Sequence, residues 1–207
     1  MYRSKEKKEI EMSKLEVSYG NSKLKGPVMI YNMGPSLLCP TDALAMCPYG
    51  PKHGDNSCYA ARPERMYKQV LPYRMRQMDW WKNHFDPFSF VYALRKKTKY
   101  FRFSEAGDFE GQKDVEKMTL VCDALRSNDI TCYGYSGRYD LDFTTLNEVA
   151  NVAISGKKLK GCSVTGVLEK GDEMPTKGKW HVCPGKNCLV ECFACTKKNT
   201  NILFHKH

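Results

Sequence analysis

No run of apolar residues approaches the ~20 needed to span a bilayer, and there is no internal repeat or low-complexity stretch. The first absence argues against a membrane-spanning helix. The first residues, MYRSKEKKEIEMSKLEV, are charged where a secretory leader is apolar. The expectation is a soluble cytoplasmic protein that makes no membrane contact. Acidic residues are also scarce, with 23 Asp and Glu against 33 Lys and Arg and a net charge of +10. That balance leaves an anionic partner or nucleic acid open. At 207 residues, 42% apolar and 12% aromatic, the chain suffices for one domain with its own core.

Ten cysteines stand out against this background. A reducing compartment disfavours disulfides, and a chain of this length needs no staples, so clustered thiols point to metal. Cys39, Cys47 and Cys58 form one group, spaced C-x7-C-x10-C. Cys183, Cys188, Cys192 and Cys195 form a tighter one, C-x4-C-x3-C-x2-C, in which Pro184 and Gly185 let the chain bend. Four thiolates in thirteen residues suit either tetrahedral zinc or a four-iron cluster. Further ligands within reach of these groups are His53 and His181, with His205 and His207 as weaker candidates. Cys122, Cys132 and Cys162 fall on apolar faces of expected elements and read as small buried hydrophobes.

Residues 27–32 (PVMIYN) read as a buried strand, followed by the cysteine loop to Cys58. A helical region is expected over 59–84 with a break at Pro72, then a helix opened by Asp86-Pro87 and running to about Lys97. Strands follow at 100–104, 130–136, 152–155 and 162–166, with helices at 114–126 and 142–150. Such alternation predicts an α/β fold: a single-domain, partial (β/α) barrel-like parallel sheet with cysteine-rich loops at the carboxyl ends of its strands. The expected organisation is a polar arm over 1–26, the metal-binding domain over 27–196 and a tail over 197–207.

In parallel sheets chemistry gathers at the carboxyl ends of the strands. Here those ends carry Ser104, Glu105 and Asp108, then Ser136 and Arg138, which are the candidate catalytic residues. Asp108 follows a glycine at a strand end, and Arg138 is a bidentate donor suited to a carboxylate or phosphate. The same charged groups also fit a plain ion-pair network. From Arg62 to Arg102 there are eleven Lys and Arg against three acids, interleaved with aromatics. That stretch suits a nucleic-acid backbone, but helical spacing alone accounts for its aromatics as core.

Taken together, Cys39-Pro40, Cys47, Cys58-Tyr59-Ala60, Ser104 to Phe109, Tyr135 to Arg138 and Cys183 to Cys195 resemble the phage-encoded, cysteine-rich proteins of the gene product eighty-eight-like family. The resemblance covers about residues 27–196 and implies an iron–sulfur protein of phage origin, acting in the host cytoplasm. The layout is also distantly similar to radical S-adenosylmethionine (SAM) enzymes, in which a three-cysteine loop after the first strand holds a four-iron cluster. Those enzymes use C-x3-C-x2-C, whereas the gaps here are seven and ten residues.

Three functions follow as expectations. The first is a [4Fe-4S] protein whose cluster is held by cysteines of the 39–58 loop and the C-terminal motif, with zinc or a second cluster alongside. The second is a radical-type enzyme binding SAM at an open iron held by Cys39, Cys47 and Cys58. The third is a zinc-stabilised nucleic-acid-binding module.

Overall fold

The computed structural model describes residues 14–44, 46–47, 58–168 and 171–205. Eight strands form one sheet: β1 (Ser18–Tyr19), β2 (Val28–Tyr31), β3 (Tyr100–Phe103), β4 (Thr131–Ser136), β5 (Ala150–Ser155), β6 (Ser163–Leu168), β7 (Trp180–Val182) and β8 (Asn201–His205). Their order is β1-β2-β3-β4-β5-β6-β8-β7. The β1–β2 pair is antiparallel and every other pair is parallel. From β2 to β6 each strand therefore lies beside the one before it in sequence, which is the α/β arrangement expected. No pairing between the end strands β1 and β7 closes the sheet among the described residues.

Six helices accompany the sheet among the described residues: α1 (Pro40–Ala43), α2 (Ala61–Met66), α3 (Val70–Asn83), α4 (Phe88–Tyr92), α5 (Gln112–Arg126) and α6 (Thr144–Val149). Period-two alternation divides each strand between two layers. Met29, Tyr31, Phe101, Phe103, Val152 and Ile154 face the helices and pack on Trp80, Trp81 and Phe90, and on the Val115, Met118, Cys122 and Leu125 stripe of α5. Tyr31 joins the sheet to that layer through ring contacts of 5.1 Å with Phe90 and 5.7 Å with Trp81. Val28, Ile30 and Tyr133 face the other way and are covered by Leu24, Leu189, Phe193, Cys188 and Cys195. The C-terminal cysteine segment is thus the second layer over the sheet.

Several boundaries differ from the sequence reading, each for a local reason. The helical region over 59–84 is two helices, and the break falls at 67–69 rather than at Pro72. Pro72 sits in the first turn of α3, where its missing N–H has no partner to lose. The helix after Asp86 ends at Tyr92, not near Lys97, because Thr98 turns back on the Arg95 carbonyl and Lys99 donates to the Pro27 carbonyl. Asp86 caps its start, accepting from the Phe88 and Ser89 amides. Residues 201–205, placed in a tail by the sequence, form β8 between β6 and β7. Within the expected N-terminal arm, β1 forms a sheet edge and Leu24 is buried. No helix among the described residues is long and apolar enough to cross a membrane.

Candidate functional site

The C-terminal thiols are carried from the carboxyl end of β7 across the sheet face that the helices leave uncovered. Cys183 follows β7 directly and its amide donates to the Leu203 carbonyl of β8 at 2.7 Å. Gly185, at φ 70°, turns the chain, and its amide approaches Cys183 Sγ at 3.4 Å. The segment then reaches the amino side of β2, where the Cys188 amide donates to the Lys23 carbonyl. Gly26 permits this approach, since a Cβ there would lie 2.5 Å from Leu189 Cβ. Asn151 of β5 fixes the far end by donating to the Cys195 carbonyl at 2.8 Å.

Within that segment the side chains meet in pairs. The Cys188 thiol donates to Cys183, and this bond, with the Gly185 amide, His181 and Lys23, outweighs burial to bring the Cys183 thiol down to about 6. The same bond and burial push Cys188 up. Cys192 Sγ lies 3.2 Å from His181 Nε2. Burial raises the Cys195 thiol, against a hydrogen bond from Tyr135. These contacts favour the Cys183 thiolate, the form that binds metal or attacks an electrophile. Soft thiolates with one imidazole suit zinc or iron–sulfur, although no group of three His, Cys, Asp or Glu among the described residues is placed to hold an ion. None of the ten cysteines is disulfide-bonded.

The first cysteine group follows the carboxyl end of β2. The Cys39 amide closes a short 3-10 turn on Ser36, the Cys47 amide donates to the Thr41 carbonyl, and the Cys58 carbonyl accepts from Ala61. All three side chains are half-buried. The structure brings Tyr59, next to Cys58, to the Glu105 carbonyl at 2.6 Å. His53 and His207 lie outside the described residues, and His205 ends β8 exposed to solvent. Cys122, Cys132 and Cys162 are buried in the helix-side core.

Of the rim residues, Asp108, Ser136 and Arg138 meet in one hydrogen-bonded network. Asp108 is buried and accepts four hydrogen bonds: Thr41 Oγ1 at 2.5 Å, Ser136 Oγ at 2.7 Å, the Gly137 amide at 2.7 Å and the Phe109 amide at 2.9 Å. Burial raises its pKa, and the four donors only partly pull it back. Arg138 spends its guanidinium on Asp140, bidentately at 2.8 Å each, and on the carbonyls of Phe109 and Glu110. These residues form a clasp that ties the ends of β3 and β4 to the cysteine loop through Thr41. Of the remaining candidates, Glu105 accepts from Asn21 and lies near Arg102, while Ser104 is buried with its hydroxyl unpartnered.

Arg102 was not a sequence candidate. Its signal was a lone charge at the centre of an otherwise aromatic strand, Tyr-Phe-Arg-Phe. Alternation puts it with Tyr100 on the face opposite Phe101 and Phe103. There it lies beneath the thiol segment, beside Tyr59, Tyr133, Tyr135 and Glu105.

A family model described as Gene product 88 matches residues 3–156. The matched region contains the first cysteine group and the clasp and stops before the C-terminal thiols. No curated protein and no solved structure matches the chain.

Proposed function

The chain belongs to the Gene product 88 family, and we propose that it is a metal-binding protein carrying a cysteine-ligated iron–sulfur cluster, with Cys183, Cys188, Cys192 and Cys195 as the principal ligands. The observation that carries this reading is the placement of those four thiols and His181 along one covered sheet face, with the Cys183 thiol lowered by its Cys188 bond and Cys192 Sγ 3.2 Å from His181 Nε2. Metal binding to thiols requires their deprotonation, so a lowered thiol in the set favours capture. Such a cluster, when bound, supplies one-electron chemistry or structural cross-linking. Cys39, Cys47 and Cys58 stand apart at the rim, where they suit a second, open cluster. Anaerobically purified protein is expected to be brown, to absorb broadly near ~400 nm and to contain iron and sulfide. A Cys183→Ser, Cys192→Ser double variant is expected to lose that absorption. A colourless protein with stoichiometric zinc would exclude iron–sulfur in favour of zinc.

A second reading concerns nucleic acid, and one observation favours it. Lys25, Lys96, Lys97 and Lys99 line an open cleft of about 610 Å³ with Gly26 and Pro27 and no acidic residue. Tyr92, shortly before this lysine run, is 84% exposed, although Trp80, Trp81 and Phe90 are core. A basic cleft whose lysine run follows an exposed aromatic in the sequence suits a single strand. Binding of a labelled single-stranded oligonucleotide should weaken steeply with salt. Reversing Lys96, Lys97 and Lys99 to Glu should flatten that dependence by roughly 0.7 in log–log slope per lost phosphate contact. Salt-independent binding would rule this reading out.

A further inference from the structure

Three buried side-chain polar atoms among the described residues lack any hydrogen-bond partner: Asn32 Oδ1, Arg102 Nε and Ser104 Oγ. All three lie towards the carboxyl ends of the adjacent strands β2 and β3. The register pairs Tyr31 with Phe103, so Asn32 and Ser104 each stand one residue beyond the last paired position. Buried polar groups are almost always bonded, and each exception calls for a missing partner.

Arg102 makes the case sharply because the protein satisfies its other buried arginines. Arg74 donates to the Ala60 carbonyl at 2.7 Å and to Glu64 at 2.6 Å. Arg138 donates four times. The Arg102 side chain is 16% exposed, and its nearest carboxylate oxygen, Glu105 Oε1, is 3.8 Å away, beyond hydrogen-bond reach. That oxygen already accepts from Asn21 at 2.5 Å. Otherwise the guanidinium faces the Tyr135 ring at 5.3 Å. The Nε–H of this planar, always charged fork has no hydrogen-bond partner among the described residues.

Ser104 supplies a second, independent pointer. It is a buried non-glycine residue held at φ 53°, in the left-handed region, with its hydroxyl unpartnered. Strained backbone of this kind persists where the surroundings impose it, and it concentrates at binding sites.

We propose that the carboxyl end of β3 binds a small oxyanion group, a carboxylate or a phosphate, with Arg102 as the bidentate anchor. Ser104 is placed at the same strand end to add a hydroxyl. The Tyr59, Tyr133 and Tyr135 side chains near Arg102 wall the site. This site is distinct from the clasp, whose arginine and aspartate are already paired, and it does not depend on metal in the thiol segment.

The test is a titration of the full-length protein with inorganic phosphate and, separately, with acetate, read by calorimetry. Saturable one-to-one binding of either anion is expected, and the anion bound more tightly identifies the source. Arg102→Gln should weaken it by roughly 10-fold to 100-fold, the range for losing a charge-assisted hydrogen bond. Arg102→Lys, which keeps the charge and loses the fork, should lie between. Absence of binding to both anions would overturn the proposal, as would unaltered binding by folded Arg102→Gln. A variant whose only change is lost metal or lost absorption would instead make Arg102 a counter-charge to the thiolates and also overturn it. Failure of metal binding alone leaves this titration unaffected.

Discussion

Asp108→Ala is expected to lower stability by about 3–5 kcal/mol, a drop in Tm of the order of 10 °C. The substitution removes the acceptor for the Gly137 and Phe109 amides and the Thr41 and Ser136 hydroxyls in one step. Leaving a buried donor unsatisfied costs far more than the net gain from making its bond. The same change cuts the link between the two strand ends and the cysteine loop, so the loop thiols should become more reactive to a thiol reagent. Asp123→Ala is the matched comparison: its partner Arg126 is at 3.3 Å but both side chains are 59% exposed, so a change within about 0.5 kcal/mol is expected. Equal costs for the two variants, by chemical denaturation, would refute a clasp at Asp108.

The ionisation of Asp108 gives that comparison a pH signature. Burial raises its folded pKa above the unfolded value, so the folded state holds the proton at pH values where the unfolded state has released it. The linked stability is then fully present below the unfolded pKa of about 4 and is lost as pH rises through the folded one. The denaturation midpoint of the wild type should accordingly fall, relative to Asp108→Asn, as pH rises from about 4 towards neutrality. A difference that grows in the opposite direction would mean that the four donors, rather than burial, set the ionisation.

What could be read from the chain alone was decided by how local the information was. The strands β2 to β6 and the helix α5 announced themselves through runs and stripes of apolar residues that pack on the same elements in the fold. The short β7, with a half-buried pattern, and β8, after the last cysteine, owe their existence to pairing with each other and with β6. No local pattern encodes that. The clasp shows the same division at the level of chemistry. Asp108, Ser136 and Arg138 were legible as reactive types at strand ends. That Thr41 and the Phe109 and Glu110 carbonyls would consume their bonding capacity depends on contacts formed only when the loops close. Arg102 is the converse case, a single charge in an aromatic strand whose importance lies in the partner it lacks.

Gly107→Ala is expected to be the most damaging single change at the rim, costing more than about 3 kcal/mol or preventing folding. Two separate features of the position lead there. Gly107 adopts φ 70°, a conformation that a Cβ strains. That Cβ would also lie 2.5 Å from the Gly34 nitrogen, 2.8 Å from the Gly34 oxygen and 2.9 Å from the Met33 carbonyl carbon. All three are backbone atoms, which cannot rotate away as a side chain would. The two backbones are further locked by the Met33 amide donating to the Ala106 carbonyl at 3.0 Å. Relief would have to move the end of β2 away from the loop that carries Glu105 and Asp108, taking both the clasp and the Arg102 surroundings with it. Gly111→Ala provides the contrast four residues on, where φ is −169° and nothing lies within 4 Å of an added Cβ. That variant should stay within about 1 kcal/mol of the wild type in the same denaturation series. A Gly107→Ala protein as stable as Gly111→Ala would mean that the two strand ends are not in contact, and the rim would have to be rebuilt from a different packing.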